Sequence, residues 1–450
     1  MSAPRTLTFF GGAATATGSM ILLEAAGART LLDAGLFAGN VALADEKNRE
    51  LPLDPTRVDA ILLTDSGLAS CGRTPQLVRH GYDRSIYCTP ATRDGAAIQL
   101  AETALELEAR HHELYGLTDV FATQKLMVGQ PYHRPLHLRR NLVFEFAEAG
   151  HALGSASIEL RTGEGGSHRI VYSGGVGRPG SAIFRDPNPN PGEVDTLIIG
   201  SPFAHLSHPP FSAARTRLAS IINAAVARGG QIIVPAATVG PVHEFVRAVQ
   251  DLWHDGQIPE IPIWLDTPTP VSLSTILRMH PETIAAGEQA YHLDSGPFDR
   301  SLLHYAVQGD PSRVDAVEGP AIIIAPNETC DAGRSSQHLR RCLGDARHTI
   351  LFTAFQEDES IGSLLQDGAD DVEIDGTTIS RRAAIETMTG FSGYADGEEM
   401  RAWIRSLGGP VKRAFVVQGD DLAVAMMVTI LREEGVRDVI VPRQGESFPF

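Results

Sequence analysis

Apolar and polar residues in the first part of the chain form short runs separated by glycines, a pattern typical of β-strands joined by tight turns. The segment Val58–Thr64 is a continuous apolar run that stops at a polar loop, as a buried strand would. The other segments predicted as strands are Leu7–Phe10, Ser19–Glu24, Arg29–Asp33, Leu142–Ala147, Ser157–Arg161, Ile170–Ser173 and Thr196–Ile199. Thr92–Leu107 instead has the helical spacing of Ala, Ile and Leu.

From about Ser212 the pattern changes to helices that alternate with strands, which predicts a mostly parallel, doubly wound sheet. The predicted helices are Ala213–Arg228, Val242–Asp255 and Gly333–Leu343, and the predicted strands are Gln231–Pro235, Ile261–Asp266, Ala321–Ala325 and His348–Phe355. The last segment reads as helix, strand, helix and strand at Glu398–Leu407, Ala414–Val417, Ala423–Glu434 and Asp438–Val441. A chain of 450 residues is long enough for two or more domains.

Composition narrows the class of protein. Hydrophobic residues make up 43% of the chain and charged residues 21%, as in ordinary globular proteins. The formal net charge of −17 argues against a surface dominated by nucleic-acid contacts, although one local basic groove remains compatible with it. The four cysteines lack a C-x-x-C spacing and are predicted to be reduced thiols. We expect a cytoplasmic protein without a signal peptide or a membrane span.

Several short motifs, spread over nearly the whole chain, indicate the family that the sequence resembles. They are Gly11-Gly12-Ala-Ala-Thr-Ala-Thr-Gly18-Ser19, Leu31-Leu32-Asp33-Ala-Gly35-Leu-Phe37, Thr64-Asp65-Ser-Gly67-Leu-Ala69-Ser70-Cys-Gly72-Arg73-Thr-Pro75, Gly150-His151-Ala-Leu-Gly154-Ser155, Tyr172-Ser173-Gly174-Gly175-Val-Gly177-Arg178, Leu265-Asp266-Thr-Pro268, Gly333-Arg334-Ser-Ser-Gln-His338-Leu339 and Phe391-Ser392-Gly-Tyr394-Ala-Asp396. Together they resemble the β-CASP branch of the metallo-β-lactamase fold. That branch contains RNA-processing nucleases, including the mRNA 3′-end cleavage endonuclease and RNase J.

The resemblance implies an α/β architecture of two domains. Residues 1–207 and 376–450 would form an αββα metallo-β-lactamase sandwich. Residues 208–375 would form an inserted β-CASP α/β domain with a parallel sheet. The groove between the two domains would be the ancestral RNA site.

The same resemblance implies that the metal site has been lost. In active members two zinc ions are held by residues that fall here on Asp65, Gly67, Ala69, Ser70, His151, Gly175, Tyr394 and Gln418. Only His151 matches the family's ligand, and the acidic residue of the family's E-S-T-Y-G motif falls on Gly200. Because zinc needs three or four converging nitrogen, sulfur or carboxylate ligands, we expect no zinc cofactor. A single metal held by Asp65, His151 and a borrowed ligand stays open as the alternative, as does a purely structural His151.

The residues that face the substrate in the family are also altered. Its P-x-F-A-x-G-R motif falls on residues 235–241, where Pro241 replaces the arginine. Its phosphate-cradling S-G-S-G-M falls on residues 325–329, where Pro326 cannot donate a hydrogen bond and Glu328 adds negative charge. Arg334 and His338 remain and could hold one anion. An ordinary surface arginine and a packed histidine at the start of a helix explain them equally well.

Two further hypotheses concern the vacated site and a relocated one. The phenol of Tyr394 would project where a metal-binding imidazole normally sits. We therefore expect Tyr394 and Gln418 to fill the vacated site and to hydrogen-bond with Asp65 or His151. A relocated metal cluster could involve His111, His112, Glu113, His133 and His137, but adjacent histidines on a helix point apart and rarely share an ion.

The leading functional hypothesis is a pseudonuclease, a non-catalytic partner or regulatory subunit in RNA processing. The resemblance offers a precedent, because the eukaryotic 3′-end cleavage complex pairs an active β-CASP subunit with a ligand-depleted one. The partner would be an active β-CASP paralogue or a second copy of the chain, with RNA binding possible but weak. The alternatives are a module that binds RNA or an anionic ligand in the groove, and a metallo-hydrolase with a rebuilt metal site.

Overall fold

The structure is a computed structural model that describes residues 5–39, 41–236, 242–266, 273–285, 301–306, 312–354, 356 and 359–450. The strands of the first part are β1 (Thr6–Gly11), β2 (Met20–Ala25), β3 (Ala28–Leu32), β4 (Ala60–Leu62), β5 (Ile86–Cys88), β6 (Met127–Gly129), β7 (Leu136–Arg139), β8 (Leu142–Glu148), β9 (Ala156–Thr162), β10 (His168–Tyr172) and β11 (Val194–Gly200). Its helices are α1 (Val41–Arg49), α2 (Leu68–Cys71), α3 (Thr74–Arg79), α4 (Pro90–Ala109) and α5 (Leu117–Leu126).

The rest of the chain continues with alternating helices and strands. The strands that follow are β12 (Ile232–Pro235), β13 (Ile263–Leu265), β14 (Leu303–Tyr305), β15 (Ile322–Ala325), β16 (Thr349–Phe352), β17 (Asp371–Ile374), β18 (Thr377–Ser380), β19 (Ala384–Thr387), β20 (Val411–Val417), β21 (Asp438–Ile440) and β22 (Ser447–Pro449). The helices are α6 (Phe211–Ala227), α7 (Val242–His254), α8 (Leu273–Met279), α9 (Ser312–Asp315), α10 (Gly333–Cys342), α11 (Ile361–Gln366), α12 (Gly397–Ser406) and α13 (Asp421–Glu433). No helix among the described residues is long and apolar enough to cross a membrane.

Two seven-stranded sheets pack face to face. Their strand orders are β22-β1-β2-β3-β4-β5-β6 and β21-β20-β11-β10-β9-β8-β7. Phe9, Phe144 and Phe415 lie fully buried between the sheets. Helices α2 to α5 cover the outer face of the first sheet, and α12 and α13 cover that of the second. This arrangement confirms the predicted αββα sandwich.

The last residues of the chain complete both sheets of the sandwich. β20 lies parallel to β11 in the second sheet, and β22 pairs antiparallel with β1 in the first. The two stretches of chain that form the sandwich are therefore joined by backbone hydrogen bonds as well as by side-chain packing.

The inserted domain is built on a six-stranded sheet of order β14-β13-β15-β12-β16-β19. All of its strand pairs are parallel, as the alternation of helices and strands predicted. One face of the sheet packs against α6 and α7, and the other packs against α10 and α11. The strands are apolar on both faces because both faces are covered.

The end of the inserted domain differs from the predicted boundary between residues 375 and 376. That boundary falls at the turn of the β17–β18 hairpin. β19 follows the hairpin and pairs with β16, so it still belongs to the inserted sheet. The structure therefore places the return to the sandwich after Thr387.

Buried polar contacts join the inserted domain to the sandwich. The Glu244 carboxylate accepts hydrogen bonds from the backbone amides of Ile183 at 2.9 Å and Ala182 at 3.3 Å, and from the Ser181 hydroxyl. His280 lies on the inserted domain and contacts the Asp94 carboxylate of α4 at 3.0 Å and Glu282 at 3.1 Å. These contacts hold the two domains together along the groove.

The charge on His280 gives this junction a pH dependence. Burial acts to lower the pKa of His280, but the hydrogen bonds with Asp94 and Glu282 outweigh it and raise the pKa to about 9. The contribution of His280 to folding is therefore complete below its ordinary pKa of 6.5 and is lost as the pH rises through about 9.

We predict that His280→Gln lowers the thermal midpoint of unfolding most at pH 6 and least near pH 10, measured by circular dichroism. His111→Gln is the matched control, because His111 is exposed and should show no such trend. A His280→Gln penalty that stays constant between these pH values would contradict the assignment.

Candidate functional site

The loop that follows β4 is held together by Asp65. Its Oδ1 accepts a hydrogen bond from the Gly67 amide at 2.6 Å, and its Oδ2 accepts one from the Ser70 hydroxyl at 2.8 Å. These bonds tie Asp65 to the N-cap residue Gly67 and to the side chain of Ser70 within the short helix α2. Asp65 and Ser70 are both buried, so this carboxylate has become part of the loop's internal hydrogen bonding.

The carbonyls of α2 fix the loop to the neighbouring chain. The amides of Ser19, Ala34 and Leu36 donate to the carbonyls of residues 69, 70 and 68 at 3.0, 2.7 and 2.8 Å. A Cβ at Gly35 would lie 1.6 Å from the Ala69 carbonyl oxygen. This close backbone approach explains why glycine stands at that position.

Beneath the loop lies a buried hydrogen-bond network centred on Asp33. Its carboxylate accepts from the Thr64 amide at 2.8 Å and from the Tyr172 hydroxyl at 2.6 Å. The Tyr172 hydroxyl also lies 2.8 Å from Ser19 Oγ. Burial, together with the nearby Asp65 charge, raises the pKa of Asp33 to about 7. The network links both sheets of the sandwich through polar atoms that satisfy one another.

His151 lies beside this network in the loop between β8 and β9. Its Nε2 is 3.7 Å from Asp65 Oδ2, and its ring stacks on that of Tyr394 with the centroids 4.8 Å apart. Burial lowers the pKa of His151, which outweighs the opposing effect of Asp65, so the ring is neutral near pH 7. Tyr394 was predicted to lie in this site, and its contact with His151 is a ring stack. The hydrogen bond that the hypothesis added stays a prediction.

Tyr394 occupies the space that an acidic side chain at position 175 would need. A Cβ at Gly175 would lie 2.5 Å from Tyr394 Cε1 and 3.1 Å from His151 Cε1. A side chain of any length at position 175 is therefore incompatible with the present position of the Tyr394 ring. The absence of a side chain at Gly175 thus makes room for the ring of Tyr394.

Gly200 and Gln418 are related in the same way as Gly175 and Tyr394. A Cβ at Gly200, where the family's acidic residue would stand, would lie 2.7 Å from Gln418 Oε1. The backbone amide of Gln418 donates to the Gly12 carbonyl at 2.6 Å, which fixes the backbone of Gln418 beside the site. Tyr394 and Gln418, which the resemblance aligns with two late histidine ligands, thus occupy the space that side chains at positions 175 and 200 would need.

The residues at this site do not fit a zinc ion. Gly67, Ala69 and Gly175 offer no side-chain donor, and Asp65 already accepts hydrogen bonds at both oxygens. His151 and Asp65 together provide two ligands where zinc requires three or four. The Tyr394 ring covers one face of the His151 imidazole.

Elsewhere in the described part of the chain, one group could in principle hold a metal. Asp266, Asp315 and His338 offer ligand atoms within 4.8 Å of one another. The guanidinium of Arg334 already lies among them, with Nε 2.6 Å from Asp266 Oδ2 and a terminal nitrogen 2.8 Å from Asp315 Oδ1. Because a cationic side chain neutralises both carboxylates, the group is an ion-pair network and leaves no place for a second cation.

The same network bears on the predicted anion site at Arg334 and His338. His338 Nε2 lies 2.6 Å from the Asp266 carboxylate, and both partners are buried. Burial acts to raise the pKa of Asp266, but the hydrogen bonds from His338 and Arg334 outweigh it and lower the pKa. An incoming anion would have to compete with this ionised carboxylate. The anion site stays a prediction, and an anion bound there would have to overcome the repulsion from Asp266.

The start of α10, beside the segment that replaces the phosphate cradle, is covered by the other domain. A Cβ at Gly333 would lie 2.6 Å from Glu106 Oε1 of α4, and Arg110 donates to the Asp331 carbonyl at 3.0 Å. Burial and the neighbouring Glu102 raise the pKa of Glu106 to about 7. A carboxyl group of the chain itself therefore sits where a phosphate would approach the helix.

The remaining candidate residues do not come together. His112 lies 3.5 Å from Asp45, and His133 lies 2.5 Å from Glu148. Neither pair joins a group of three metal-ligand atoms in the described ranges. Pro241, which stands where the family has its substrate-facing arginine, lies outside the described residues.

Two protein-family models match parts of this chain. A family model described as the Beta-Casp domain matches residues 242–365, and one described as the Zn-dependent metallo-hydrolase RNA specificity domain matches residues 378–442. The chain belongs to the β-CASP family of the metallo-β-lactamase fold.

Relatives support this membership along the whole β-CASP chain. Ribonuclease TTHA0252 of Thermus thermophilus is 29% identical over 449 residues, which cover 98% of this chain and 99% of the relative. Transcription termination factor FttA of Methanothermobacter thermautotrophicus is 26% identical over 442 residues, which cover 92% of this chain and 67% of the relative. A crystal structure of a protein of unknown function from Enterococcus faecalis shares the fold, with a TM-score of 0.55 and 13% identity over 99% of this chain and 100% of that one.

Sequence reasoning missed two features of the site. The pairing of Gln418 with Gly200 had a signal, because both positions depart from the family pattern in the same region. No sequence pattern signalled the contact of Glu106 with Gly333. Glutamate is usually a surface residue, and this one lies in one domain while Gly333 begins a helix of the other. Only the folded chain brings them together.

We predict that Gly175→Ala destabilises the protein by about 1–3 kcal/mol, because its Cβ overpacks the Tyr394 ring. In a Tyr394→Ser background the same change should cost clearly less, since the ring that it meets is gone. Chemical denaturation measures both free energies of unfolding. Gly344→Ala is the matched control, because its Cβ would have its nearest neighbour at 3.9 Å. Equal costs of Gly175→Ala in the two backgrounds would refute the packing account.

Proposed function

We propose that this β-CASP chain is a pseudonuclease that acts as a non-catalytic partner or regulatory subunit in RNA processing. The observation that carries the proposal is the filled ligand site. Tyr394 and Gln418 take the space beside Gly175 and Gly200, and Asp65 is engaged within its own loop. A site packed in this way favours a structural role over metal binding.

The chemistry follows from the donor set. Hydrolysis of a phosphodiester in this fold depends on zinc, which lowers the pKa of bound water from ~15.7 to about 7. Asp65 and His151 alone fall short of the ligands that such an ion needs. His151 is buried, neutral and stacked on Tyr394, which supports a packing role for the one ligand that matches the family.

The groove between the domains also favours contacts other than tight RNA binding. The start of α10 faces the Glu106 carboxyl, and the nearby Arg334 is paired with Asp266 and Asp315. The net charge of −17 weakens attraction for a polyanion and suits protein contacts. The RNA context comes from the relatives, which are named as a ribonuclease and as transcription termination factors. An active β-CASP paralogue or a second copy of this chain is the partner that this proposal expects.

We predict that the purified protein does not cleave an unstructured RNA in a chelator-sensitive manner, because no metal-bound nucleophile can form. Gel analysis of labelled RNA with added zinc or manganese, in the presence and absence of EDTA, measures this. Ribonuclease TTHA0252 run in parallel provides the positive control.

His151→Ala is the matched variant for this experiment. Trace cleavage by a contaminating nuclease would be the same for the wild-type protein and the variant. Cleavage that EDTA abolishes, that zinc restores and that His151→Ala removes would show a working metal site and would overturn the proposal.

A further inference from the structure

The outer face of α13 carries an apolar stripe that faces solvent. Leu422 is 62% exposed and Met426 is 41% exposed, and both lie on the same side of the helix, one turn apart. Ala425 and Thr429 are exposed between and beyond them. The opposite face of the helix is buried against the second sheet of the sandwich. Large apolar side chains grouped on one exposed helix face are typical of a protein contact.

Unpaired charges flank this stripe at its two ends. Asp421 and Arg432 are exposed, and neither makes an ion pair among the residues that the structure describes. The nearby Glu433 and Glu434 differ, because both are paired with Arg401. At the α-helical repeat, Asp421 and Arg432 are three turns apart, about 17 Å, and project on the same side of the stripe.

This order of charges is self-complementary under a twofold axis. When two copies of α13 pack antiparallel about an axis at the middle of the helix, Asp421 of each copy faces Arg432 of the other. The exposed Ala425 lies near the centre of such a pair, where a small side chain lets two helices approach closely. Leu422 and Met426 are then covered on both copies.

We propose that α13 is the contact surface of a homodimer in which two copies of the chain pair antiparallel through the Leu422–Thr429 face. The edge strand β21 belongs to the sheet that α13 covers, and Val441, which follows β21, is also exposed. A stable interface buries about 800 Å² per partner, more than one helix face supplies, so this dimer is weak and concentration-dependent. This inference concerns self-association and does not depend on the proposed loss of nuclease activity.

Sedimentation equilibrium of the full chain over a range of concentrations tests this surface. The wild-type protein should show a monomer–dimer equilibrium. Asp421→Arg and Arg432→Asp should each weaken the dimer roughly tenfold, because every single reversal creates two like-charge contacts by symmetry. The double variant Asp421→Arg/Arg432→Asp should restore the wild-type dissociation constant.

The double variant also separates pairing from folding. Both reversals oppose the helix dipole, so any loss of helix stability is at least as large in the double variant as in the singles. Phe121→Ser, which changes an apolar side chain that is 56% exposed on α5, is the matched control and should leave the dimer unchanged. A wild-type protein that is monomeric at every concentration would overturn the proposal. So would single reversals without effect, or a double variant that fails to recover.

Discussion

Close packing around two glycines is the constraint on which the rest of this site depends. Gly175 and Gly200 stand where active relatives are expected to carry acidic side chains, and a Cβ at either would collide with Tyr394 or Gln418. Protein interiors leave few voids larger than a water molecule, so lost side chains require replacements of similar volume. The region around Gly175 and Gly200 is thus a packed part of the interior, filled by the side chains of Tyr394 and Gln418.

Hydrogen bonds cross-link the loops of this region. Asp65 binds the loop's own donors at Gly67 and Ser70, and Asp33 joins Thr64 of one sheet to Tyr172 of the other. Each buried polar atom in this set has a partner within the set, which avoids the cost of an unsatisfied group. The same principle operates at the domain junction, where Glu244 and His280 bind groups on the sandwich. Polar contacts thus join the loops of the sandwich to one another and the inserted domain to the sandwich.

The fold could be predicted from the sequence largely because its strands are short apolar runs between glycines and its inserted domain alternates regularly. α5 was missed because its apolar residues do not form one clear face, and β19 was assigned to the wrong side of a boundary because a hairpin separates it from its sheet. The residues of the site followed from matching motifs, and the filling of the site by Tyr394 was expected. The ion pairs of Arg334 and the approach of Glu106 to Gly333 could not be predicted, since they depend on how distant segments meet in three dimensions.

Zinc-edge anomalous diffraction from crystals equilibrated with zinc at neutral pH tests the central claim most directly. The account predicts no anomalous peak within coordination distance, about 2.0–2.3 Å, of His151 or Asp65. It also predicts that the Tyr394 ring remains stacked on His151 beside Gly175. A zinc peak bound to His151 and Asp65, with Tyr394 displaced from the site, would contradict it.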